Sequence, residues 1–158
     1  MNSIDSAIVL VMMFEGFQRK PYIDAAGKPT IGYGTTVYPN GKSVKTTDKP
    51  ISKETALIYV KHDLGIIQDR LSSIPNFELL NENQKAALYD LAYNVGFMHI
   101  ITGNIGLYIS LKEFSRVPNI ILQYNKAHVN GKLKTLNGLT RRREEEVKLY
   151  REPVTDSK

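Results

Sequence analysis

The sequence predicts an α+β fold, with its strands gathered in a small N-terminal lobe and a larger helical lobe behind it. Three observations carry this. Residues 21–50 hold four of the seven prolines and set glycines between short β-branched and aromatic pieces. After Pro50 the pattern turns helical and stays so to about Arg151. Finally, 158 residues with no internal repeat fit one domain with a core of its own.

The elements follow in order. Residues 3 to about 15 read as a first helix, capped by Ser3, with Asp5 in its first turn and Gly16 as its stop. Its apolar run, Ala7 to Phe14, is far short of the ~20 residues that span a bilayer, so a buried helix is expected. No Lys or Arg precedes Arg19, so the basic start of a signal peptide is missing. Asn40-Gly41, between Thr36-Val-Tyr38 and Ser43-Val-Lys45, is a hairpin signal. Ser52 caps a long helix with Leu57, Val60, Leu64, Ile67 and Leu71 along one face. At ~20 residues it reaches ~30 Å, enough to link two lobes.

Asn81 or Asn83 starts the next helix, apolar at Ala87, Leu88, Leu91, Ala92 and Val95 and stopped by Gly96. Shorter helical pieces follow around 105–114 and 118–126. Asn130-Gly131 marks a tight turn, and a last helix runs from about Leu139 to Arg151. The expected division is a single domain over 1–158. Its first helix and strands lie in about 1–50, the linking helix in about 53–72, the helical lobe in about 80–151 and a polar tail in 152–158. Two lobes joined by a helix leave a cleft between them, where ligands usually bind.

Composition narrows the chemistry. There is no Cys, which removes disulfide scaffolds, thiolate zinc sites and Cys nucleophiles. His62, His99 and His128 are scattered, so neither a metal site nor a cofactor is expected. The net charge of +5 draws the protein to a polyanion, whether nucleic acid, anionic membrane or cell wall, without choosing among them.

Two carboxylates stand out by position. Glu15 ends the first helix, where the partial negative charge of the helix terminus disfavours an ionised carboxylate by ~0.3–1 kcal/mol. Asp24 lies nine residues on, in the loop entering Thr30-Ile-Gly-Tyr-Gly34. Carboxyl pairs in unlike environments suit glycoside hydrolysis, one protonating the leaving oxygen while the other activates water or attacks the sugar. Thr30 offers a hydroxyl to hold water. Taken alone the pattern is weak, because an Asp in a Gly-rich loop is more often a turn-former.

The run from Glu15 through Tyr22, Asp24 and Thr30 to Gly34 closely resembles the signature of phage-type, T4-lysozyme-like muramidases of glycoside hydrolase family 24. Asn83 to Gly96, ending Asn-Val-Gly, is similar to that family's central helix. Leu136 to Glu146 is similar to its C-terminal Gly-Leu-x-x-Arg-Arg segment. Together the three cover nearly the whole chain.

The resemblance implies a lysozyme-like fold with the active site between the lobes. It also implies a muramidase that cuts between N-acetylmuramic acid and N-acetylglucosamine in peptidoglycan. Glu15 would be the general acid, Asp24 the second carboxylate and Thr30 the residue that places water. Tyr33 and Arg142 would bind at the cleft, Arg142 being the member of Arg141–Arg143 that pairs with Glu15. The plainer reading of that run is a helix start in which these arginines and Glu144–Glu146 pair at i,i+3 and i,i+4. One departure is Thr35, where many relatives carry a structural His after Gly-x-Gly.

The expected partner is peptidoglycan, with no nucleic acid, no membrane anchor and a monomeric protein. Synthesis in a host cytoplasm, followed by holin- or machine-dependent release to the wall, fits the missing leader. A wall-binding module without catalysis is the alternative on the same fold. A nucleic-acid binder ranks lower, because the charges are interleaved and no reader motif appears.

Overall fold

The computed structural model describes residues 1–155. Helix α1 (Ser3–Glu15) is followed by strands β1 (Gln18–Ile23) and β2 (Pro29–Gly32), and then by the long α2 (Lys53–Leu71). A 3-10 turn at Phe77–Leu79 leads to α3 (Glu82–Val95), α4 (Phe97–Thr102), α5 (Asn104–Ser110) and α6 (Val117–Leu122). Strands β3 (Lys126–Val129) and β4 (Lys132–Thr135) precede the last helix, α7 (Asn137–Arg151). The class is the expected α+β, but the strands are not confined to the N-terminal part, because β3 and β4 form a second hairpin between α6 and α7. The tail reading falls partly on residues 156–158, which lie outside the described residues.

The core is helical. Leu64, Leu71, Leu88, Leu91, Ile100, Ile105, Ile109 and Ile121 are fully buried, and α3 runs through the middle with Ala86 to Ala92 all buried. A helix covered on every side needs apolar residues all round, so the one charge in that stretch, Asp90, requires a partner. On α2 the buried residues are Ala56, Val60, Leu64, Ile67 and Leu71, with Ser52 accepting the Thr55 N–H as its cap. Leu57 is only partly buried.

Helix α1 corrects two expectations. Its cap is Asn2, whose Oδ1 accepts the Asp5 N–H at 2.8 Å; the Ser3 N–H instead donates to Glu82 Oε2 at 2.8 Å, tying the start of α1 to the start of α3. Nor is the helix buried all round. Ala7, Leu10 and Val11 face the core, while Val9, Met12 and Met13 are exposed on the other side. Although it precedes the strands, α1 packs on α2, α3 and α7.

Both small sheets are two-stranded and antiparallel. In the first, β1 pairs with β2 through Tyr22↔Thr30 and Ile23↔Pro29. Its turn is built by Asp24, whose Oδ1 accepts the N–H groups of Ala26 and Lys28, both at 2.9 Å. The Asn40-Gly41 turn forms, with the Gly41 N–H donating to the Tyr38 carbonyl, and a short antiparallel pairing flanks it: the Val37↔Ser43 bridge with the Tyr38 N–H on the Lys42 carbonyl and the Val44 N–H on the Thr36 carbonyl, both at 2.9 Å. Beyond it Asp48 Oδ2 accepts from the Tyr38 hydroxyl at 2.7 Å and the Lys45 N–H at 2.8 Å, and the chain turns there. The regular hairpin forms instead around Asn130-Gly131, from Val129↔Lys132 to Lys126↔Thr135.

Candidate active site

Glu15 is the last residue of α1, and Gly16 ends the helix at φ +67°, a conformation that favours glycine. This places the carboxyl between α1 and the strands, with its side chain 19% exposed. Its Oε1 accepts a hydrogen bond from Arg142 Nη1 at 3.1 Å. Its Oε2 faces Gly34, where a Cβ would lie 3.0 Å away. Glycine at 34 therefore serves twice, taking φ +86° and leaving room for the carboxyl.

Arg142 is held from behind. It projects from the first turns of α7 and lies 3% exposed, with Nε and Nη2 donating to the two oxygens of Asp90 at 2.9 and 2.8 Å. This fork-to-fork pair fixes the guanidinium in one plane, leaving Nη1 for Glu15. Phe14 lies 5.7 Å from the guanidinium carbon, adding an aromatic face. Burial by itself would lower the Arg142 pKa, but the bonds and charge of Asp90, joined by Glu15, more than reverse this and hold it charged.

Tyrosines line the approach to Glu15. The Tyr22 phenol is pushed up by burial, then by the charges of Glu15 and Asp24, so it stands within the field of both carboxylates. The Tyr93 hydroxyl donates to the Tyr33 carbonyl at 2.6 Å and is pushed up by burial, then by Asp63 and Glu15. Beside them a cavity of about 290 Å³ opens between Gly34, Thr36, Asp63, Tyr93 and Phe97. Burial there raises the Asp63 carboxyl to about 6.

The chain as a whole matches known proteins. The phage lysozyme family model fits residues 12–146, which takes in Glu15, Gly34, Asp90 and Arg142. The chain belongs to the phage lysozyme family. The endolysin of Acyrthosiphon pisum secondary endosymbiont phage 1 is 29% identical over 153 residues, covering 95% of this chain and 98% of its own. The endolysin of Salmonella phage P22 is 33% identical over 113 residues, covering 72% and 76%. The solved endolysin from Escherichia coli O157:H7 phage FAHEc1 superposes with a TM-score of 0.85 at 28% identity, covering 99% of this chain and 98% of its own. As a phage lysozyme, the protein is a glycoside hydrolase that acts on peptidoglycan.

Within this family member the expected site residues fall as follows. Glu15 and Arg142 meet directly, and Arg142 is the arginine of the 141–143 run that does so. Asp24 sits in the β1–β2 turn near Tyr22, with Oδ1 spent on backbone N–H groups. Thr30 is buried in β2, 2% exposed, and its hydroxyl donates to the Lys28 carbonyl at 2.9 Å. The Tyr33 ring, expected at the cleft, is instead 4% exposed and packs against Phe17 at 5.5 Å, so only its carbonyl, held by Tyr93, reaches the site. Thr35 is the position at which the sequence resemblance implies a His. It is buried, with a hydroxyl that lacks a hydrogen-bond partner. All three histidines are exposed, and no group of metal-ligating side chains occurs among the described residues.

Asp90, Tyr93 and Asp63 escape a motif reading. Asp90 left one signal, a lone carboxylate amid Ala86-Ala-Leu-Tyr and Leu91-Ala, where burial demands a cation.

Proposed function

We propose that the enzyme hydrolyses the β-1,4 bond between N-acetylmuramic acid and N-acetylglucosamine, with Glu15 as general acid. The observation that carries this is the Glu15–Arg142–Asp90 chain. It fixes Oε1 of a partly exposed carboxyl and turns Oε2 toward Gly34 at the cleft. Proton donation needs a carboxyl held in one orientation against the leaving oxygen, and buried positioning groups supply it.

Asp24 is the second carboxylate. Its turn bonds occupy Oδ1 and leave Oδ2 without a protein partner among the described residues, in keeping with an oxygen kept for water. Thr30 accepts from the same water, which attacks the sugar while Glu15 protonates the leaving group; this route inverts the anomeric centre. The reading is supported by the pairing of β1 with β2, which sets Thr30 opposite Tyr22, two residues before Asp24.

The test is release of reducing ends from purified murein. Wild type should release them, and Glu15→Gln, with an unchanged melting temperature and far-UV spectrum, should lose at least a thousandfold. Turnover by Glu15→Gln within tenfold of wild type refutes the assignment. Murein binding without any release by wild type would make the protein a wall-binding module.

A further inference from the structure

A second cavity lies on the strand lobe, and the chemistry at Glu15 makes no use of it. Its volume of about 490 Å³ falls within the roughly 300–1,000 Å³ of ordinary ligand sites. Two tyrosines line it: Tyr38, from the segment after Gly34, and Tyr59, from α2. Their rings meet edge to face with centroids 5.5 Å apart. Pro39, Lys49 and Pro50 stand exposed around its rim.

The carboxylate of this cavity, Asp48, is held in place. Its Oδ2 accepts from the Tyr38 hydroxyl at 2.7 Å and the Lys45 N–H at 2.8 Å. The Lys45 N–H, and then the Tyr38 hydroxyl, keep the carboxyl below its usual range, so it is ionised at neutral pH. Oδ1 has no protein partner among the described residues. The frame around it is fixed as well. The Tyr38 N–H donates to the Lys42 carbonyl at 2.9 Å, the Asp48 N–H donates to the Lys45 carbonyl at 3.0 Å, and each proline locks its own φ. A wall built in advance loses little freedom when it binds.

Position decides what the cavity can hold. Thr36 lines the cavity beside Glu15 and Tyr38 lines this one. The two stand two residues apart on extended chain, so they share a face and lie about 7 Å from each other. On α2, Asp63 lines the first cavity and Tyr59 the second, about one helical turn or ~6 Å away. Two separate elements therefore set the cavities side by side, in a row that starts at Gly34.

A chain of linked sugar rings suits such a row. Each ring offers apolar C–H faces, which pack on aromatic rings, and hydroxyl and amide donors, which a carboxylate accepts strongly. We propose that Tyr38, Tyr59 and Asp48 form a distal subsite for a sugar residue of the murein glycan, further along the strand that Glu15 cuts. The tyrosines supply the apolar wall and Asp48 Oδ1 the acceptor. This rests on Glu15 as the acid and adds a grip on long strands, because a second contact on one polymer acts at high effective concentration.

The test uses murein glycan strands stripped of their peptide stems and sorted by length. For wild type, KM should fall as the strands lengthen. Tyr59→Leu keeps apolar bulk and removes the ring. On long strands its KM should rise about three- to tenfold, with kcat within about twofold of wild type. On the shortest strand still cut, its kcat/KM should match wild type. Tyr59→Phe keeps the ring and should behave as wild type on both. Asp48→Asn can still accept from Tyr38 and Lys45 but loses the charge, and it should raise KM on long strands by a similar factor.

Equal loss on short and long strands is what a purely structural role gives, and it overturns the proposal, as does no loss on long ones. Loss confined to strands that keep their stems would make this a peptide site and overturn it too. Binding is read without turnover by carbon-13 NMR of the tyrosine rings in Glu15→Gln, titrated with a hexamer of β-1,4-linked N-acetylglucosamine. The Tyr38 and Tyr59 rings should both shift. Shifts confined to residues around Gly34 refute the subsite, even where Tyr59→Leu does not fold. Wild type that releases no reducing ends would count against the assigned reaction, whereas unmoved tyrosine rings count against this inference alone.

Discussion

Replacing Arg142 with Met tests whether the guanidinium holds the site together. Met keeps an unbranched apolar stem and removes the charge and all three hydrogen bonds, at 2.9 and 2.8 Å to Asp90 and 3.1 Å to Glu15. Asp90, wholly buried, then loses the guanidinium that hydrogen-bonds both of its oxygens. Removing one partner of a buried pair costs about 3–5 kcal/mol. Glu15 adds little to that figure, because its side chain is still 19% exposed. Against the roughly 5–15 kcal/mol typical of a domain, the loss is severe. Asp90→Asn removes the stranded charge, so Arg142→Met/Asp90→Asn should be less damaged than the two single losses summed, by about 1.5–3 kcal/mol. Urea unfolding at pH 7, followed by far-UV circular dichroism across the four-member cycle, measures this. A cost below about 1 kcal/mol for Arg142→Met, or additivity within about 0.5 kcal/mol, would refute the argument.

Further outcomes follow from the same geometry. Asp63 is held protonated to about pH 6 in the folded protein against 3.8 ordinarily, so its contribution to stability is present below pH 3.8 and is lost as pH rises through 6. Asp63→Asn should therefore stabilise by about 1–2 kcal/mol at pH 7–8, after allowing for solvent that still reaches the group, and by almost nothing at pH 3.5. Thermal melts at the two pH values check this, and equal effects at both would dismiss it. Gly34→Ala forces a side chain into φ +86° and sets its Cβ 3.0 Å from Glu15 Oε2, so it should cost about 1–2 kcal/mol and at least tenfold in activity. Gly27→Ala, at φ +82° with open space around it, should lose similar stability but keep its activity. Equal activity in the two variants would show that crowding at Glu15 is irrelevant.

Much of the fold was legible because its signals are local. The Ser52 cap, the apolar face of α2 and the glycine stops at 16 and 96 act within a few residues of themselves. The spacing of Glu15, Asp24 and Thr30 was weak by itself and pointed to the family only through its resemblance to a known signature, together with the segments at 83–96 and 136–146. Local signals also misled. The hairpin signal was read at Asn40-Gly41, where the pairing is short, while the regular ladder formed at Asn130-Gly131, read only as a tight turn. The apolar run of α1 read as buried, although only one of its faces meets other helices.

What the sequence determined by itself was the α+β class, the main helices and the identity of the carboxyl at the end of α1. Tertiary structure decided which arginine reaches it, that Tyr33 turns its ring inward, and that Asp90 and Glu146 complete a buried charge cluster. Arg142 meets Asp90 across 52 positions and Glu15 across 127. Helical periodicity says which residues share a face, but the balance of buried charge depends on which faces meet, and only the packed chain brings these together.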